Sequence, residues 1–73
     1  MPIWVHTRRR AIGEHIRTAR LHANLSQAAL GELVGRDHKT IHRYERGDSD
    51  PRLSDLLLIA DALEVPVAEL LAE

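Results

Sequence analysis

Five side chains in one short stretch carry most of the chemistry of this sequence: His38, Lys39, His42, Arg43 and Arg46. At 3.6 residues per helical turn they fall within an arc of roughly 140°, while Ile41 and Tyr44 point the other way. One side of such a helix packs and the other presents only cationic or potentially cationic donors. Guanidinium and ammonium groups in that array suit phosphate oxygens and the O6 and N7 acceptors of guanine. His38 and His42, one turn apart, also have a metal-ligand spacing, but no cysteine or carboxylate shares their arc, so no metal is expected. Histidines on such a face add charge as pH falls through about 6.5, which would tighten phosphate binding. No set of nucleophile, base and orienting group is suggested by position, so neither an enzyme nor a cofactor is expected.

Two short helices joined by a tight turn must position that stripe. Ser26 is a good N-cap for a helix over residues 27–34 whose Leu30, Leu33 and Val34 are expected to face inward, and Gly35 closes it. Asp37 caps the next helix, 38–46, and Gly47 stops it. Upstream, Thr7 offers an N-cap, and Ile12, Ile16, Ala19 and Ala23 recur at helical spacing, predicting a helix over 8–23 that Asn24 ends in the left-handed conformation. Ile3, Trp4 and Val5 show no helical period, so residues 1–7 are expected to form an N-terminal arm. Downstream, Pro51 precedes a helix over 52–63 whose Leu53, Leu56, Leu57, Ile59, Ala60 and Leu63 make too wide an apolar band for a surface helix. Pro66 opens a last helix over 66–72, with Val67, Leu70 and Leu71 on its apolar side. No run of alternating β-branched residues suggests a strand. The fold class is therefore all-α, with five helices in one domain over residues 8–72.

Seventy-three residues suffice for one small core but not for a core plus a deep substrate pocket. With no cysteine, stability must come from helix packing. The longest apolar stretch, Leu56 to Ala60, is far shorter than the roughly 20 residues a membrane span needs, so a cytoplasmic protein without membrane contact is expected. The formal net charge of −1 is not that of an ordinary nucleic-acid binder. Charge is segregated, however. Residues 1–24 carry five arginines against Glu14, and residues 51–73 carry Arg52 against five acids. A basic face on an acidic chain follows, with modest and strongly salt-dependent phosphate affinity. Trp4 and Tyr44 are the only large aromatics, too few for a base-stacking platform of the single-strand kind.

The runs Leu-Ser-Gln at 25–27, Val-Gly at 34–35, Thr-Ile at 40–41 and Arg-Tyr-Glu-Arg-Gly at 43–47 resemble the phage Cro/repressor-like, or XRE, family of helix-turn-helix DNA-binding domains. The resemblance covers about residues 8–72. It implies that His38, Lys39 and Arg43 reach base edges, and that Gln27 clamps a phosphate and steadies the recognition helix. Ser26, with the first amides of its helix, would bind phosphate as helix N-termini do. Thr40 and Arg46 would be further backbone contacts by position, and His42 and Arg10 are candidates for additional DNA contact. Arg20 and Glu45 match a structural ion pair between the first and third helices. Several positions depart from the family habit. Arg36 replaces an apolar turn residue, so that either the turn is less well packed or the stem lies over the core with the charge in water. Gly31 replaces alanine, Asp48 and Asp50 stand where cationic residues are common, and Glu64 occupies the place of a frequent glycine. Small residues at 31 and 35 are expected to let the two helices cross closely.

The expected function is sequence-specific binding of double-stranded DNA by a transcriptional regulator. A repressor acting on a pseudo-palindromic operator as a homodimer is expected, with the C-terminal helix, through Val67 and Leu71, and Ile3 to Val5 as candidates for the contact. Two other accounts fit the same residues: an antitoxin or mobile-element regulator that also holds a partner protein, and a protein-protein adaptor without DNA. Arg8, Arg9 and Arg10 either track a phosphate strand or form a solvated helix turn.

Overall fold

A computed structural model describes all residues, 1–73, in the order α1 (Ile3–His22), α2 (Gln27–Val34), α3 (His38–Arg46), α4 (Leu53–Ala62) and α5 (Val67–Leu70). The caps are local and chemical. Ser26 accepts a hydrogen bond from the Ala29 amide at 3.0 Å, and the Asp37 carboxylate accepts one from the Thr40 amide at 2.8 Å. Gly35 and Gly47 end α2 and α3 at φ 75° and 74°, where a side chain would be strained. Asn24 turns the chain after α1 in the same left-handed region, and Glu64 does so after α4 without the freedom of the glycine usual there.

Ile16 of α1, Leu30 and Val34 of α2, Ile41 and Tyr44 of α3, Leu56 and Ile59 of α4, and Leu70 of α5 form the core. Against this core α1 and α2 both pack on α3, and α4 lies under α2 and beside α5. The wide apolar band expected of the fourth helix is used only in part. Leu56, Ile59, Ala60 and Leu63 are buried, whereas Leu53, Leu57 and Leu58 remain exposed.

The first helix corrects the expected boundary. Residues 1–7 do not form an arm apart from the first helix: α1 begins at Ile3, with Pro2 as its N-cap, and the Thr7 hydroxyl donates to the Ile3 carbonyl from inside the helix. No apolar period marks its first turn because Ile3 and Trp4 are exposed, and the turn that follows is held by polar contacts. Arg9 Nε donates to the Gly47 carbonyl at 2.9 Å, and Arg8 Nη2 donates to the Leu71 carbonyl at 2.7 Å. Arg8 therefore closes the C-terminal end of the fold and is spent on it, which removes it from the phosphate-tracking row. His15 approaches the Leu70 carbonyl with Nδ1 at 2.9 Å beside it.

Arg36 also departs from expectation. Its guanidinium does not stand free in water but binds the buried carboxylate of Asp55, with Nε at 3.1 Å from Oδ2. Tyr44 donates its hydroxyl to the same Oδ2. Burial pushes the Asp55 carboxyl up, yet these hydrogen bonds outweigh burial and hold it below its ordinary value. Gly31 differs likewise. A side chain there would meet the Arg36 carbonyl in the turn before it met α3.

Candidate nucleic-acid interface

The stripe on α3 is presented outward. His38, Lys39, His42 and Arg43 are all exposed, and with Gln27 they line one shallow hollow across the start of α2 and the length of α3. Behind them Ile41 and Tyr44 are buried, so the orientation of α3 is fixed by the core and cannot rotate without exposing both. The stripe is thus a rigid surface.

A chain of hydrogen bonds runs from the interior to this surface. Arg20 of α1 grips Glu45 of α3 with two bonds, Nε to Oε2 at 2.6 Å and Nη2 to Oε1 at 2.9 Å, and its Nη1 donates to the Leu25 carbonyl at 2.8 Å. The pairing raises the Arg20 pKa above its ordinary value, the hydrogen bond to Glu45 being the main cause. Gln27 Nε2 donates to the same Oε1 at 3.1 Å and lies 3.4 Å from His42 Nδ1. An amide nitrogen has two hydrogens. One is held by Glu45, so the second is aimed at the edge where His42 and an incoming acceptor compete. Ser26 uses its oxygen as the cap acceptor, which leaves its hydroxyl hydrogen available to an anion at the start of α2.

Not every sequence-predicted residue is equally placed. Thr40 is half-buried and its amide is held by Asp37, whose carboxyl that bond keeps below the ordinary range. Arg46 is exposed but shares its Nε with Asp48 at 3.2 Å. Arg9 meets Asp50 at 3.0 Å, so both loop carboxylates are matched by arginines of the same chain. Arg10 lies off the α3 stripe, on α1, where it lines a polar groove with Gln27, His42 and Arg46. Arg17 lines that groove too and was not singled out in the sequence. Its seven-residue spacing from Arg10, two turns on one helix face, was the available signal.

A family of proteins described as the helix-turn-helix domain has a model that matches residues 11–72. An uncharacterized HTH-type transcriptional regulator of Sinorhizobium fredii is 43% identical over 74% of this chain and 38% of its own length. The repressor protein of Salmonella phage P22 is 38% identical over 73% of this chain and 24% of its own, and the cryptic phage CTXphi repressor RstR of Vibrio cholerae is 34% identical over 81% and 53%. This chain therefore spans between about a quarter and about half of these relatives. Among solved structures, the phage P22 repressor in complex with a synthetic operator matches at a TM-score of 0.78, with 37% identity over 82% of this chain and 91% of that one. The restriction-modification controller protein C.AhdI from Aeromonas hydrophila matches at 0.85, with 31% identity over 89% and 94%.

Proposed function

The chain belongs to the helix-turn-helix domain family, and from that premise we propose that it is a sequence-specific double-stranded DNA-binding module of a transcriptional regulator, acting as a repressor in the cytoplasm. One observation carries this reading: α3 is locked by buried Ile41, Tyr44 and Glu45 while His38, Lys39 and Arg43 project together from its other face. In a major groove, Arg43 and Lys39 would donate to guanine O6 and N7, and His38 would reach the same edges. Gln27, the start of α2 at Ser26, Thr40 and Arg46 would hold the flanking phosphates. The operator-bound relative supports the docking mode.

One module of this size buries little DNA surface, so a homodimer on two half-sites about one helical turn apart is the working form. Exposed Leu71 is available for that contact, whereas half-buried Val67 is largely spent on the core. The C-terminal helix therefore offers Leu71 first.

Selection of random duplexes on the purified protein tests binding, preferred sequence and half-site spacing together. Arg43→Ala should then cost about 1–3 kcal/mol and relax preference at one base position. A protein that retains no duplex through selection at low salt would refute the reading.

A further inference from the structure

A second groove, of about 760 Å³, shares no residue with the cationic stripe and none of its walls belongs to α3. It runs along α1 from His15 to Ala23, about 12 Å at 1.5 Å per residue, and its opposite wall is the corner between α4 and α5. Its apolar surface comes from Leu25, Leu63 and Val65 at the margin of the core and from Leu33 of α2. Leu33, expected from the sequence to face inward, is instead 61% exposed. Leu30 and Val34, four residues apart, take the core side of α2 and turn Leu33 to the flank.

The electrostatics of the groove are one-sided. Glu64 and Glu69 stand on the α4–α5 wall without an ion pair in the chain, and no lysine or arginine lines the groove. Glu64 also holds φ at 58°, a left-handed conformation that glycine would adopt without strain. A carboxylate is thus kept at this edge at a cost to its own backbone, and strain of that kind gathers at functional sites.

We propose that this groove docks a short amphipathic helix of another protein, its apolar residues one turn apart against Leu33 and Leu63 and its lysines or arginines beside Glu64 and Glu69. Charge complementarity selects the occupant. The unpaired carboxylates repel nucleic acid and acidic segments alike and attract a basic one. The length of the groove matches two turns of an incoming helix, the span over which helix-in-groove partners place anchors at i, i+3, i+4 and i+7. A second copy of this chain is a poorer match. Its exposed apolar turn at Ile3 and Trp4 is followed by Arg8 and Arg9, which are already held by Leu71, Gly47 and Asp50. Since the groove and the α3 stripe have no residue in common, a docked partner leaves the stripe free, and the proposal stands whether or not the stripe reads DNA.

The test is selection of a displayed library of random peptides of about twelve residues, three helical turns, on the full chain. Enriched sequences are then synthesised with a fluorophore for anisotropy titration. They should carry apolar residues at i and i+3 or i+4 and a net positive charge. Leu33→Ser should weaken their binding about tenfold or more, as the loss of one buried leucine implies. Glu64→Gly should weaken it about threefold, the size of one exposed ion pair, while its relieved backbone keeps thermal stability at or above the parent's. No enrichment over an unrelated control protein, enrichment of acidic or uncharged peptides, or equal binding to the parent and to either variant overturns the proposal. So does concentration-dependent self-association that Leu33→Ser abolishes, which gives the groove to a second copy of the chain.

Discussion

Tyr44 of α3 donates its hydroxyl to Asp55 of α4 at 2.6 Å, inside the core and directly behind the exposed cationic stripe. Arg36 closes on the same carboxylate from the turn between α2 and α3, so three segments that set the pose of α3 share one anion. Tyr44→Phe should destabilise the fold by about 1.5–3 kcal/mol, the usual cost of a buried hydrogen bond to a charged group. Asp55→Ala should cost more, since it strands both donors. Urea denaturation followed by helical circular dichroism measures both, and equal stabilities for Tyr44→Phe and the parent would contradict the role assigned to this bond.

The same network fixes how stability depends on pH. The Asp55 carboxyl titrates below its ordinary 3.8 in the folded state, so its contribution is complete above that value and is lost as pH falls through the folded pKa. Burial first, then the bond to Asp55, pushes the Tyr44 hydroxyl above 10.0, so its contribution is complete below that value and is lost as pH rises through the folded pKa. Urea midpoints should form a plateau that falls away on both sides. Asp55→Asn should flatten the acid side, and an acid limb identical to the parent's would count against this assignment.

Gly13 is the residue over which α1 crosses α3. A methyl group there would press on the backbone carbonyls of Tyr44 and Glu45, neither of which is a flexible side-chain end. Gly13→Ala should therefore destabilise by about 1–3 kcal/mol even though alanine favours helix. Thermal melts decide it, a rise in melting temperature being the opposite outcome.

Asp48 occupies Arg46 in a pair that is more than half exposed on both sides. Exposed pairs of this kind contribute little to stability. Asp48→Asn should leave the melting temperature nearly unchanged, yet raise duplex affinity by releasing Arg46 and removing a negative charge near phosphate. Unchanged affinity in a salt series would show that the loop stands clear of the DNA.

What was legible in the sequence is what is chemically local. Ser26, Asp37, Gly35, Gly47 and Asn24 act within a few residues of themselves, and the structure uses each as a cap or a turn. The stripe on α3 follows from periodicity alone. Asp55 was not legible as a functional acid because nothing nearby in sequence marks it. Its partners lie 11 and 19 residues away and meet it only when α4 packs. The first turns of α1 were missed for a related reason, since Ile3, Trp4 and Val5 have no apolar rhythm and distant carbonyls hold that end. Arg17 is intermediate: its spacing was visible, but the wall it faces is supplied by α2 and α3.

Arg8 and Arg9 reach carbonyls 63 and 38 positions further along the chain. The grip of Arg9 needs only the end of α3, whereas that of Arg8 exists only once the last helix has docked. Order in the opening turns of α1 then reports that the whole assembly has closed, and amide protons there would be shielded from exchange only in the completed fold.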